Sequence, residues 1–260
     1  MQWRRTGLLA AVALAALPLG AAACGGSGKH GSGGVSLSAS VAVLQAVRKT
    51  VDAGSEHVSL TTTVNAGAQS LSLAGAGDFN TKNGVGSLRA TFAVAGVRST
   101  LDEVTSGSKV YVRSPFFATI LRHGKRWLFV DVGTARSVFG PAASSILAQD
   151  PSAIIAELEA LGSVKDVGSE EVGGTKTTHY EATITDSKLL GPSIPIDVWV
   201  GADGYVRKLR VTASSSSSKQ RLKTAVTMNL SNYGKTVHVS TPPASATVDA
   251  SKVSIPGLGG

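Results

Sequence analysis

From His57 onward the chain alternates apolar and polar residues with a period of two. Val58, Leu60, Thr62 and Val64 fall on one side of an extended chain, and His57, Ser59, Thr61 and Thr63 on the other. That is the signature of a strand with one face buried. Leu71, Leu73, Gly75, Gly77 and Phe79 repeat it, as do Leu88, Ala90, Phe92 and Val94 beyond the Lys82-Asn83-Gly84 turn, and then Val110 and Val112. Between them, Val97 to Val104 reads as a less regular strand closed by Gly107, and Trp127 to Val132 as a short one. Strands resume with Val164 to Val172, and next Thr178, Tyr180, Ala182 and Ile184 share a face opposite Thr177 and His179. Ile196, Val198 and Val200 oppose Asp197 and Trp199, and Gly201-Ala-Asp-Gly204 has the turn chemistry to fold this strand into a hairpin with Val206 to Val211. Ser214 to Ser218 predict a solvated tip before the cleanest alternation, Leu222, Thr224, Val226, Met228 and Leu230. Val237 to Val239 predict the last edge strand, since Pro242-Pro243 cannot continue a ladder. Turns about every ten positions predict an antiparallel sheet.

Two stretches carry a helical period instead. Ser38 or Ser40 is positioned to cap a helix with Val41, Leu44, Val47 and Val51 on one stripe and its end near Gly54. Residues 134–149 are rich in Ala and Ser and predict one or two short helices broken at Gly140-Pro141. Asp150-Pro151 then opens a helix with Ile154, Leu158 and Leu161 on one side and Gly162 as its stop. Helices grouped rather than alternating with strands give an α+β class. The expected architecture is a strongly curved antiparallel sheet of about ten strands, a half-barrel, with helices covering its concave side. The irregular stretch Ser114 to Leu121 breaks the strand pattern. Its Phe116, Phe117, Ile120 and Leu121 either pack under the helices or form a portal at the rim.

Ahead of all this, residues 1–23 read as a lipoprotein signal peptide. Arg4 and Arg5 precede an apolar run from Leu8 to Leu19, and small residues lead to Cys24, the single cysteine. A lone thiol in an exported chain has no disulfide partner, and acylation of its sulfur accounts for its position. The same segment also fits an uncleaved anchor or an ordinary signal, and the arginine pair fits twin-arginine as well as general export. Lipidated Cys24 would hold the protein at the plasma membrane on its extracytoplasmic face, with 24–37 as a Gly/Ser tether, 38–253 as one domain and 254–260 as a loose tail.

Composition narrows the function. Loss of residues 1–23 removes two arginines and no acid, leaving 23 basic against 17 acidic residues, a net +6. That suits an anionic membrane surface; no cluster of cations interleaved with aromatics points to nucleic acid. The five histidines are scattered without metal-ligand spacing, His179 and Glu170-Glu171 read as surface groups, and no nucleophile elbow or phosphate loop is present. Neither catalysis nor a cofactor is expected. The inner positions mix Gly75, Gly77, Ala90 and Ala182 with large residues, and only 13 of 260 residues are aromatic, a composition compatible with a thin core or a hollow one.

Four segments, Gly107 to Arg113, Val167 to Tyr180, Asp197 to Arg207 and Asn229 to Pro242, resemble in order the strand signatures of the LppX/LprAFG lipoproteins of actinobacteria. The resemblance covers most of 38–250 and follows a candidate lipidated cysteine. It implies a LolA-like half-barrel that holds lipid or glycolipid acyl chains and carries them outside the plasma membrane, with no catalytic residues. A sensing or protein-interaction module of the same fold is the alternative, and any export or transporter partner is left open. On this reading the cavity lining comprises Val58, Leu60, Val64, Leu71, Leu73, Phe79, Leu88, Phe92, Val94, Val110, Val112, Ile154, Leu158, Tyr180, Ile184, Val198, Leu222, Val226 and Met228.

Overall fold

The computed structural model describes residues 37–66, 69–94, 97–118, 121, 124–131, 161–185, 193–216 and 221–253. The first element is helix α1 (Leu37–Ala53). A first run of strands follows as β1 (Ser55–Ala66), β2 (Gln69–Asn80), β3 (Val85–Val94), β4 (Val97–Ser106), β5 (Lys109–Arg113) and β6 (Trp127–Asp131). A second run comprises β7 (Leu161–Val172), β8 (Thr175–Ile184), β9 (Ile194–Gly201), β10 (Val206–Ser216) and β11 (Arg221–Ser231), and the last strand is β12 (Thr247–Asp249). All twelve belong to one open, curved sheet in the order β12-β6-β5-β4-β3-β2-β1-β11-β10-β9-β8-β7. Two antiparallel meanders, β1 to β6 and β7 to β11, are joined where the first strand of one pairs with the last of the other, Val58 opposite Leu230 and Val64 opposite Thr224.

Several expectations need correction. Among the described residues there are twelve strands rather than about ten, and α1 is the single α-helix. The helices expected within 134–160 lie outside them. Leu161 and Gly162, expected to end a helix, instead open β7, where Leu161 pairs with Ile184 and packs on the core. The stretch from Val97 is a regular ladder partner of β3, from Val94 opposite Val97 to Val85 opposite Ser106. Ser214 to Ser216 belong to β10, paired with Lys223 to Arg221. Val237 to Val239 form no strand. β11 already has β1 and β10 on its two sides, so the chain leaving it must travel to a free edge. It finds one at β6, where β12 pairs in parallel, Thr247 opposite Trp127, the exception to an otherwise antiparallel sheet.

Helix α1 buries a different stripe from the one expected. Ala39, Val43, Ala46, Val47 and Thr50 face the sheet, whereas Val41 is 51% exposed and Val51 38%. Ser38 and Ser40 lie inside its first turn rather than ahead of it. Ala39 and Ala46 let the helix axis approach the sheet, and the fully buried Val43 and Val47 each contribute about 2 kcal/mol. The helix stops at Gly54, as expected, whose φ of +73° suits a left-handed terminator and whose N–H reaches the Val51 carbonyl at 3.0 Å. Thr50 decides where the helix docks. The β9–β10 hairpin carries a bulge between Val206 and Lys208, which takes backbone groups out of the ladder. The Val206 N–H donates to Thr50 Oγ1 at 3.0 Å, and the Val206 carbonyl accepts from the Tyr233 hydroxyl. Lys49 adds a bond to the Asp203 carbonyl at 2.7 Å and lies over the Tyr205 ring, itself stacked on Tyr233 at 4.4 Å.

The core divides in two. The larger cluster joins α1 to Val58, Phe79 and the inner positions of β7 to β11, and the smaller gathers Leu121, Leu128, Val130 and Ala250 at the β6 end. Glycine shapes the strands between them. A Cβ on Gly77 would stand 1.9 Å from the Ser87 carbonyl oxygen, so β2 and β3 keep their approach only without a side chain there.

Candidate functional site

The strand register converts the alternation into continuous rows across the sheet. Leu101, Ala90, Gly75, Leu60, Met228, Leu209, Val198 and Tyr180 are successive neighbours in one row. In the next, Ser99, Phe92, Leu73, Thr62, Val226, Val211, Ile196 and Ala182 follow one another. Val64 and Leu71 continue the face on one side of these rows. On the other side Val58, Gly77, Leu88, Glu103, Val112 and Leu128 form a further row, followed by Phe79, Gly86, Thr105, Val110 and Val130. Of the cavity residues named from the sequence, the described strand positions therefore share this inner face, Ile184 included, whereas the side chains of Val94 and Leu222 lie outside the described residues. Ile154 and Leu158 lie outside the described residues.

Burial along the face is uneven. Val58, Phe79, Val110, Val112, Tyr180, Ile184, Val198 and Met228 are buried. Leu60, Leu88 and Val226 are half-buried and touch the larger core. Leu71, Leu73, Phe92 and Leu101 are half-buried and, among the described residues, belong to neither core cluster. Helix α1 lies against β7, β9 and β10, so the cores flank a less covered apolar stretch over β1 to β4. Leu101 and Ser99 were missed because Val-Ser-Leu-Glu at 97, 99, 101 and 103 alternates weakly; their pairing with Val94, Phe92, Ala90 and Leu88 supplies the missing signal.

Leu121 is buried in the smaller core and Phe117 packs against it. Ile120 and the Phe116 side chain lie outside the described residues, as does Cys24.

The outer face is polar but organised. Trp199, on the outer side of β9, is only 3% exposed. His179 stacks on it at 4.2 Å, Lys208 lies 4.0 Å from its ring centre, and its indole N–H donates to Glu170 at 2.5 Å. His179 in turn meets Asp197 at 2.9 Å. Thus Glu170 and His179, expected as plain surface groups, build a covering over an aromatic that the alternation sends outward. Farther along, Asp102 accepts from Arg89 at 2.7 Å and from Arg113 at 2.8 Å, and Arg113 lies over Trp127. Burial alone would raise the Asp102 carboxyl, but the two guanidinium groups outweigh it and hold the group below the usual carboxylate value. Burial, reinforced by the charge of Asp166, raises the Tyr180 phenol, which is neutral at physiological pH. Among the described residues no group of three His, Cys, Asp or Glu side chains is arranged to hold a metal ion, and no helix is long and apolar enough to cross a membrane.

No family model matches the chain, and no curated protein matches it. Solved structures do. The chain resembles the lipoproteins LppX and LprF. LppX of Mycobacterium tuberculosis shares 18% identity over 77% of this chain and 99% of its own, with a TM-score of 0.45. LprF of Mycobacterium bovis shares 18% over 80% of this chain and 98% of its own, with a TM-score of 0.48. A LolA superfamily protein of Nitrosomonas europaea shares 8% over 77% and 94%, with a TM-score of 0.25. LppX and LprF are the proteins to which the four strand segments of the sequence pointed.

Proposed function

We propose that this chain is a lipoprotein anchored through Cys24 that binds the acyl chains of a lipid or glycolipid against the inner face of its sheet and carries them outside the plasma membrane. The observation behind this reading is the apolar stretch of Leu71, Leu73, Phe92 and Leu101, aligned by register yet, among the described residues, joined to neither core. From strand spacing and rise, the stretch from β1 to β4 measures roughly 14 Å across and 13 Å along the strands. Each methylene laid on it and withdrawn from water contributes about 0.8 kcal/mol. No nucleophile, metal or redox group is needed for such a task.

The test is mass spectrometry of lipid extracted from the purified chain. Lipid at near-equal molar amounts is expected, together with its transfer from donor to acceptor vesicles. Leu73→Trp, which fills the middle of the stretch, should lower lipid content at least several-fold while the fold persists. A chain that emerges free of lipid and takes none up from vesicles would overturn the reading and leave an interaction module. Cys24→Ser should release the protein from the membrane fraction, and retention would remove the anchor.

A further inference from the structure

Charge is spread unevenly along the strands. Segments 57–77, 84–101 and 206–231 contain no Asp or Glu. They supply β3, β10 and β11 entire, most of β1 and β2, and the first half of β4. At the end where β1 starts and β9 turns into β10, Asp52, Asp78 and Asp203 are exposed among Lys49, Lys82 and Lys235. The opposite end, where β1 turns into β2, β3 into β4 and β10 into β11, is different. There Arg98 and Lys223 are exposed, beside the uncharged and equally exposed Asn65 and Ser70. Neither cation belongs to an ion pair among the described residues.

The apolar face runs out at this same end. Val64 is 6% exposed and its neighbour Leu71 half-buried; the register leads on through Val94 to Val97, at the start of β4. Val97 is 70% exposed, the most exposed large hydrophobic side chain among the described residues. By alternation it occupies the inner position beyond Ser99 and Leu101.

We propose that this end of the sheet docks on an anionic lipid bilayer, with Arg98 and Lys223 against the head groups and Val97 at the border of the acyl region. The inference builds on the acyl-binding reading above and adds where lipid enters. Cations held within a Debye length of an anionic surface are drawn to it, whereas the far end, with its exposed acids, is not. An acyl chain leaving the bilayer here passes from Val97 and Leu71 to Leu73 and Phe92 without crossing water.

The test places an environment-sensitive fluorophore at either end of the full chain, on Val97→Cys or on Asp78→Cys. The unsubstituted chain, treated in parallel, subtracts any signal from Cys24. Vesicles of dioleoyl phosphatidylcholine, alone or mixed equally with dioleoyl phosphatidylglycerol, would carry a phosphatidylcholine spin-labelled near the top of its acyl chain. In the mixed vesicles quenching at position 97 is expected to exceed that at position 78, and that at 97 in neutral vesicles, by at least about twofold. Molar salt should abolish the excess, and so should Arg98→Gln combined with Lys223→Gln. Equal quenching at the two ends would overturn the docking, and quenching at 97 that ignores vesicle charge, salt and the double variant would overturn its electrostatic basis. Lipid uptake without docking would sink this surface and leave acyl binding intact; docking without lipid uptake would do the reverse.

Discussion

Val206 has both of its backbone polar groups satisfied by side chains from distant parts of the sequence, Thr50 and Tyr233. Burial raises the Tyr233 phenol well above its usual value, so the hydroxyl remains a donor. Tyr233→Phe leaves the ring stack with Tyr205 in place and removes that donor. It should cost about 1 kcal/mol in urea unfolding. The wild type should also lose stability above about pH 10, where the unfolded chain releases a proton that the folded one keeps, and the variant should lose less. At Asp102 the sign is opposite. Its folded value is depressed, so its stabilising contribution is complete above the unfolded value near pH 4 and fades as pH falls further. Asp102→Asn should be less stable than wild type at neutral pH, and the difference should shrink below about pH 4 in thermal melts.

At the scale of elements, α1 offers a direct check on which side of a helix holds it to the sheet. Val43→Asp puts a carboxylate where nothing is exposed and should cost at least about 3 kcal/mol or prevent folding; Val41→Asp, one half-turn away, should stay within about 0.5 kcal/mol of wild type. The expected stripe was displaced because Ala39, Ala46 and Thr50 carry little hydrophobic weight, although they are what permits close approach and, for Thr50, a hydrogen bond. The strands were more legible. Their period of two fixes which residues share a face, and Val58, Leu60, Leu73, Val198, Val226 and Met228 all fall where alternation put them. The part of that face outside both cores was not legible, because coverage depends on where a helix docks, and docking here turns on a bulge that no alternation announces. β12 was invisible for another reason: three residues carry no period, and its partner lies more than a hundred positions upstream. At the β2–β3 boundary Gly77→Ala should destabilise the chain by more than the roughly 1 kcal/mol of an ordinary strand substitution, since the added carbon meets backbone. Calorimetry of that variant would check it.

Taken whole, the sheet is one surface with two personalities, largely apolar inside, and polar outside, where Arg89, Arg98, Lys109, Arg113 and Lys223 stand. Such sidedness suits a protein that must keep oily surface away from water while showing a soluble exterior. An open sheet also has two borders. One ends in the three residues of β12. The other, β7, is twelve residues long, but it is interrupted by irregularities on either side of Val164 to Asp166, twisted at Gly168 with φ of +126°, and studded with Lys165, Asp166, Glu170 and Glu171. A short border and a crooked, charged one make poor templates for a neighbouring copy. Molecules crowded side by side would thus drift past each other as single particles instead of knitting into fibres.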